Sequence, residues 1–253
     1  MMSQLITDPW FYAVALPSVL LLGLSKSGFA SGLGSLATPM LALALPVPQA
    51  AAIMLPLLAV ADVMALWTLR RHADRAVLWM LLPAGLVGIV IGWLSFGLLP
   101  GHIVAGIVGV VTLAFLAWQL IWPPRADAPL PGHRQTGALA LMAGYTSFVA
   151  HGGGPPVAMA LLPRRMEPLA YAGTSAVFFA SINAAKWLPY AALGLLDGRN
   201  LSTSVLLMPL AAGGVLLGVW AAKRISSRWF YRLVQVGMLL TGLKLLADAF
   251  WPA

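Results

Sequence analysis

The 253-residue sequence has no cysteine, which excludes a disulfide framework, a cysteine-ligated zinc site and thiol catalysis. Charge is nearly as scarce: Asp, Glu, Lys and Arg together make up 9% of the chain. Soluble domains carry about 25%, so no continuous water-facing surface can be assembled from these residues. Residues 1–10 contain one acid, Asp8, and neither Lys nor Arg. They lack the basic region with which a cleaved signal peptide begins. A G-x-x-x-x-G-K-S/T phosphate loop and a G-x-S-x-G nucleophile turn are both missing, so neither nucleotide hydrolysis nor esterase chemistry by those routes is expected.

What is abundant is apolar. Residues of that class make up 60% of the chain, accompanied by 25 Gly, 19 Pro and 10 Trp. Gly and Pro at that density would break soluble helices. In a bilayer they allow close helix contacts and broken helices that line a cavity, and indole rings settle at the headgroup level. The net charge of +8 would suggest nucleic acid in a soluble protein. Here the cations fall in short loops and read as topology determinants, so no nucleic-acid partner is expected.

Apolar segments run at about 10–33, 35–45, 50–69, 77–98, 102–122, 136–150, 154–162, 168–195, 201–222 and 229–250. Those of about 20 residues can span a hydrocarbon core of about 30 Å at about 1.5 Å per residue. The segments at 35–45 and 154–162 are too short, and each follows a glycine-rich break, Gly32-Leu33-Gly34 and Gly152-Gly153-Gly154. The Pro-rich stretch 123–135 is the longest polar linker. It divides the chain into an N-terminal transmembrane repeat (1–122) and a C-terminal one (136–253), with the linker expected on the cytoplasmic side.

The halves correspond in order. Pro83, Gly88 and Gly92 match Pro209, Gly214 and Gly218 at a spacing of 126, Gly34 and Met40 match Gly153 and Met159 at 119, and Trp67 matches Trp187 at 120. Loop charge orients them. If residues 136–162 enter and leave on one side, then Arg70, Arg71, Arg75, Arg125, Arg134, Arg164, Arg165, Lys223, Arg224, Arg228 and Arg232 share a face, and Arg199 stands on the other. A single crossing would split these cations about evenly, and the positive-inside rule favours the first arrangement. Each half is then a broken helical hairpin plus three transmembrane helices, with an odd number of crossings. The expected fold is an all-α polytopic membrane protein of two inverted-topology repeats, with both termini periplasmic and the Arg-rich loops in the cytoplasm. In such folds the binding site lies where the breaks meet near the midplane.

Few polar groups remain inside the apolar segments. A Lys or Asp at a helix centre costs about 2.5–3.5 kcal/mol on insertion scales, so each needs a partner or a watery path. The first break, Ser25-Lys26-Ser27-Gly28-Phe29-Ala30-Ser31-Gly32-Leu33-Gly34-Ser35, offers a cation, hydroxyls and backbone N–H groups to an oxyanion. In the second, His151-Gly152-Gly153-Gly154-Pro155-Pro156, glycines strip side chains away and the prolines begin a helix. The bland alternative there is a tight helix crossing with His151 bonded to a backbone carbonyl. Asp62 lies mid-helix, suited either to carrying a proton if burial favours its neutral form or to neutralising Lys186. Asn183 and Lys186 share a helix face one turn apart. Thr174 and Ser175 either line the path or bond back to the preceding turn. Two lysines, Lys26 and Lys186, against one acid favour an anionic substrate. Lys244, within two turns of the end, snorkels. The pairs Gly88/Gly92 and Gly214/Gly218 serve close packing inside the bundle more readily than a seam between two copies.

These residues together resemble the sulfite exporter TauE/SafE family of membrane permeases. The resemblance runs from about Leu16 to Leu246. It rests on Gly23-Leu24-Ser25-Lys26-Ser27-Gly28-Phe29, Gly32-Leu33-Gly34, Leu55-Pro56-Leu57 followed by Asp62, and Arg70-Arg71-His72. In the second half it rests on the His151–Pro156 run, Gly173-Thr174-Ser175, Phe178-Phe179, Asn183, Lys186 and Pro189-Tyr190. Ser27-Gly28 stands where such proteins often have Gly-Gly. The resemblance implies export, or in some members uptake, of small sulfur-containing anions such as sulfite or an organosulfonate like sulfoacetate, from a bacterial inner membrane. The partners expected are that anion and the lipid bilayer, with a homodimer left open, and no cofactor or metal.

Three alternatives compete. A passive anion channel would use the same residues, and a non-transporting subunit would have little need of intramembrane Lys and Asp. An intramembrane hydrolase would pair Ser31 with His151, but the serine motif of rhomboid proteases needs Gly two residues before the Ser, where Phe29 stands.

Overall fold

The computed structural model describes residues 5–26, 34–96, 98–121, 130–221 and 227–250. Ser27, Gly28, Ser31 and Gly32 of the first break lie outside the described residues, as do most of the 123–135 linker and the loop cations Arg125, Lys223 and Arg224. Among the described residues there are ten α-helices and two short 3-10 turns, the helices being α1 Pro9–Lys26, α2 Gly34–Leu41, α3 Val47–Leu69, α4 Arg75–Phe96, α5 Gly101–Ile121, α6 His133–Ala150, α7 Gly154–Leu161, α8 Pro168–Ala192, α9 Gly198–Ala221 and α10 Ser227–Phe250. The short segments expected at 35–45 and 154–162 are the eight-residue helices α2 and α7. Each follows a described helix of 18 residues, α1 and α6.

Proline marks both starts and interiors. In α3, α7 and α8 it occupies the first helical turn, where its missing N–H would have no partner anyway. Pro17, Pro56, Pro83, Pro189 and Pro209 lie inside helices, which a bilayer tolerates because neighbouring helices take up the freed backbone groups. Four helices among the described residues are long and apolar enough to cross a membrane: Pro9–Lys26, Val47–His72 (α3 with its 3-10 extension), Arg75–Phe96 and Gly198–Leu217. Large apolar side chains such as Val63, Trp67, Trp79, Leu94 and Leu188 stand more than 60% exposed, a surface suited to lipid rather than water. The chain is a multi-pass α-helical membrane protein.

Packing pairs helices across the two halves. α1 lies on α9 and α6 on α4, α3 crosses α8, and α5 runs against α10. Glycine sets the closest approaches. A Cβ on Gly23 would sit 2.7 Å from the Ala211 carbonyl oxygen, and one on Gly214 would sit 3.1 Å from that of Leu20. On the other side, a Cβ on Gly144 would collide with the Gly85 carbonyl, and one on Gly88 with that of Leu141. Gly23 and Leu20 precede Gly144 and Leu141 by 121 positions, while Gly85 and Gly88 precede Ala211 and Gly214 by 126, so the two crossings use matching positions. α3 and α8 run antiparallel, because Asp62 meets Asn183 while Gly173 abuts Leu69 farther along α3 and earlier in α8.

The second hairpin closes on itself. Arg164, just after α7, donates to the Ala160 carbonyl (3.2 Å) and to Thr136 Oγ1 (3.2 Å) near the start of α6. The two ends of α6–α7 therefore lie together, although 28 residues separate Arg164 from Thr136. Lys244 pairs with Asp248 one turn later on an exposed face of α10.

Candidate functional site

Described residues on both sides of the first break and at the turn of the second line one cavity of about 390 Å³. Ser25 and Lys26 reach it from the end of α1, Gly34 and Ser35 from the start of α2, and Ser147, His151 and Gly154 from the α6–α7 turn. Leu58 and Ala65 of α3 and Ser175, Phe179 and Asn183 of α8 complete the wall. Away from the tips it extends along α7 to Leu69, Arg165 and Tyr171, beside the Arg70–His72 turn.

Lys26 ends the described part of α1 with its ammonium 2.5 Å from Asp62 Oδ1 and 5.2 Å from the centre of the Phe179 ring. Its side chain keeps 15% of its surface exposed, against 6% for Asp62. The cation faces the cavity while the carboxylate sits behind it. Asn183 Nδ2 donates to the other carboxylate oxygen at 2.7 Å. Asp62 therefore forms its ion pair with Lys26 and reaches Lys186 only through the Asn183 amide. A neutral ring contact and a buried carboxylate are both favourable neighbours for an ammonium.

Lys186 has no exposed surface and does not line the cavity. Its Nζ lies 2.7 Å from Ser147 Oγ, 2.8 Å from Asn183 Oδ1 and 2.9 Å from His151 Nδ1. The other ring nitrogen of His151 is 2.9 Å from the Ala51 carbonyl. The backbone-carbonyl partner expected for His151 is thus present in the same residue that lines the cavity. α6 ends at His151 in a left-handed conformation, φ 54°. This is uncommon for a residue with a Cβ and is held by bonds from the His151 and Gly152 N–H groups to the Ser147 and Thr146 carbonyls.

The glycines of the second break differ in duty. Gly153 allows close packing, since a Cβ there would lie 2.7 Å from the Ala143 carbonyl oxygen and 3.1 Å from the Phe179 ring. Gly154 lines the cavity, while Gly152 and Pro155 face a small, separate apolar pocket towards α5 and α10. In the first break, a Cβ on Gly34 would sit 2.6 Å from Ser25 Oγ. Thr174 is fully buried away from the cavity, and its Oγ1 accepts the Asp74 N–H at 2.9 Å, tying α8 to the start of α4. Its neighbour Ser175 does line the cavity, and its hydroxyl has no hydrogen-bond partner among the described residues.

Sequence reasoning missed Ser147. Its one signal is a hydroxyl one helical turn before His151, on a helix where such groups usually bond back to the preceding turn. Among the described residues no three His, Asp or Glu gather closely enough to hold a metal ion.

A family model described as "Sulfite exporter TauE/SafE" matches residues 15–245. No curated protein and no solved structure matches the chain.

Proposed function

The chain belongs to the sulfite exporter TauE/SafE family, and from that premise we propose that it exports a small sulfur oxyanion or organosulfonate by alternating access around the cavity between its two hairpin tips. The observation that carries this reading is Lys26, a cation exposed to the cavity and backed by a buried carboxylate. An ionisable group at such a depth marks a transport path by default. Ser25, Gly34, Ser35, Ser147, Gly154 and Ser175 surround the same space. Ser25 gives its O–H to the Leu22 carbonyl, and the donors offered to an oxyanion held at Lys26 are the Ser147 and Ser175 hydroxyls and the backbone N–H groups at the starts of α2 and α7. Ser27, Gly28, Ser31 and Gly32 belong to the same break and are assigned to the site from the sequence alone.

Asp62 is the coupling residue in this proposal. An anion that takes Lys26 leaves the carboxylate facing a second negative charge, and a proton on Asp62 relieves that repulsion. Substrate and proton then share one centre, and movement of either is tied to the other.

The architecture proposed is an inverted repeat, 1–122 against 136–253. It is supported by the matching glycine crossings of α1 on α9 and α6 on α4 and by the antiparallel meeting of α3 with α8. With the Arg-rich loops in the cytoplasm of a bacterial cell and both termini periplasmic, Leu69 and Arg165 line the part of the cavity nearest the cytoplasmic loops. An exporter loads its substrate from that side.

Purified protein in liposomes tests the reading. Downhill flux of sulfite or sulfoacetate should appear, and an imposed pH gradient should drive either anion uphill. Flux that no opposing proton gradient can reverse would mean a channel, and no flux of any anion would end the transporter reading.

A further inference from the structure

Three acceptors surround Lys186 Nζ, the number that an ammonium's three N–H groups require, and none of them is a carboxylate. Its described partners are all neutral, and it is closed off from the cavity. Hydrogen-bond valence shows where its influence goes. The Ala51 carbonyl can only accept, so His151 Nε2 carries the ring proton and Nδ1 accepts an N–H from Lys186. Both ring nitrogens are then spent on the protein, and the imidazole offers the cavity no N–H. Asn183 receives Lys186 at Oδ1 and gives an N–H to Asp62.

Ser147 differs. Its oxygen accepts from Lys186 at 2.7 Å, and its own O–H has no acceptor among the described residues. The residue is 2% exposed and lines the cavity. A hydroxyl that accepts from an ammonium becomes a stronger donor, because bonds in a chain polarise one another.

We propose that Lys186 is a positioning residue that acts on the transported anion through Ser147: it fixes and polarises the Ser147 hydroxyl, which donates its proton to an oxygen of the anion held at Lys26. The inference rests on the cavity being the anion site. It gives the site two cations with different duties. Lys26 meets the substrate, and Lys186 reaches it through one intervening O–H. A second cation in contact with the substrate would add affinity that release must then overcome, whereas a hydroxyl relay stabilises the anion without a second ion pair to break.

The test is a double-mutant cycle on sulfite flux in proteoliposomes. Ser147→Ala alone should raise KM about tenfold with the maximal rate within a factor of two, and Ser147→Thr, which keeps the hydroxyl, should stay near the wild type. Lys186→Met should raise KM by a similar factor, and the double variant should be no worse than the poorer single one. KM factors that multiply in the double variant would overturn the relay. If Lys186→Met does not fold, Ser147→Ala decides by itself: an unchanged KM overturns the proposal. Wild-type protein that moves no sulfite or sulfoacetate would overturn the functional reading and the relay together, whereas normal wild-type flux with an indifferent Ser147→Ala would overturn the relay alone.

Discussion

Asn183 donates its side-chain N–H to Asp62 across 2.7 Å, and the same amide receives Lys186 on its carbonyl side. One planar group thereby joins a cation–carboxylate pair reached from the first hairpin to a cation that holds the tip of the second. The amide cannot turn over without placing Nδ2 against Lys186 and Oδ1 against Asp62, so its orientation is fixed by both neighbours. Replacing Asn183 with Leu should therefore do more than remove two hydrogen bonds. It leaves a buried carboxylate oxygen and a lysine N–H unsatisfied, at a cost of about 1–3 kcal/mol for each such group. The thermal midpoint in detergent should fall and anion flux should fall with it.

The Lys26–Asp62 pair makes a sharper demand. Breaking a fully buried pair from one side costs about 3–5 kcal/mol, and less where one partner reaches a cavity as Lys26 does, while replacing both partners with apolar groups is often close to neutral. Lys26→Met should lower the thermal midpoint and abolish flux. The double variant Lys26→Met, Asp62→Leu should recover most of the stability and none of the transport. Recovery of transport in the double variant would remove Lys26 from the site.

The glycine crossings give a prediction with two signs. Gly144→Ala would drive a methyl into the Gly85 carbonyl, and Gly23→Ala would drive one to 2.7 Å from backbone atoms of Ala211 and Gly214. Forcing those helices apart should cost at least the roughly 1–3 kcal/mol of an overpacked core. Gly137 and Gly213 have nothing within 4 Å of a built Cβ, so alanine there should stabilise by up to about 1 kcal/mol through helix propensity. Thermal unfolding of the four variants in one detergent decides it.

Tyr190 separates stability from function. Its ring is fully buried against Phe148 and its hydroxyl donates to the Phe148 carbonyl at 2.6 Å. Tyr190→Phe keeps the packing and should cost about 1 kcal/mol for the lost bond. KM for the anion should not change, since the phenol does not line the cavity.

Much of this was legible along the chain. Glycine breaks and segment length located the two eight-residue helices α2 and α7, because a helix of that length rises only about 12 Å and cannot be a span. Loop charge required 136–162 to return to its own side, and the contact of Arg164 with Thr136 brings those ends together. What pattern could not supply was depth and long-range partnership. Lys186 shares a face with Asn183, as spacing said, but periodicity does not tell a wall residue from one enclosed behind it. Asp62 was weighed as the partner of Lys186, yet its ion pair is with Lys26, 36 residues earlier, which no local rule encodes. Thr174 and Ser175 looked alike in sequence, and only the tertiary fold turns one hydroxyl to the Asp74 backbone and the other to the cavity wall. Ser147 stayed invisible because a serine in an apolar helix most often bonds its own backbone.

The central claim, that an anion is carried on Lys26 with a proton at Asp62, is met most directly by simultaneous recording of sulfite and proton movement in proteoliposomes. Wild-type protein should acidify or alkalinise the lumen in step with sulfite flux, and Asp62→Asn should uncouple the two while Lys26→Met stops both. Sulfite flux unaffected by Lys26→Met, or proton movement that persists in step with sulfite in Asp62→Asn, would contradict the account.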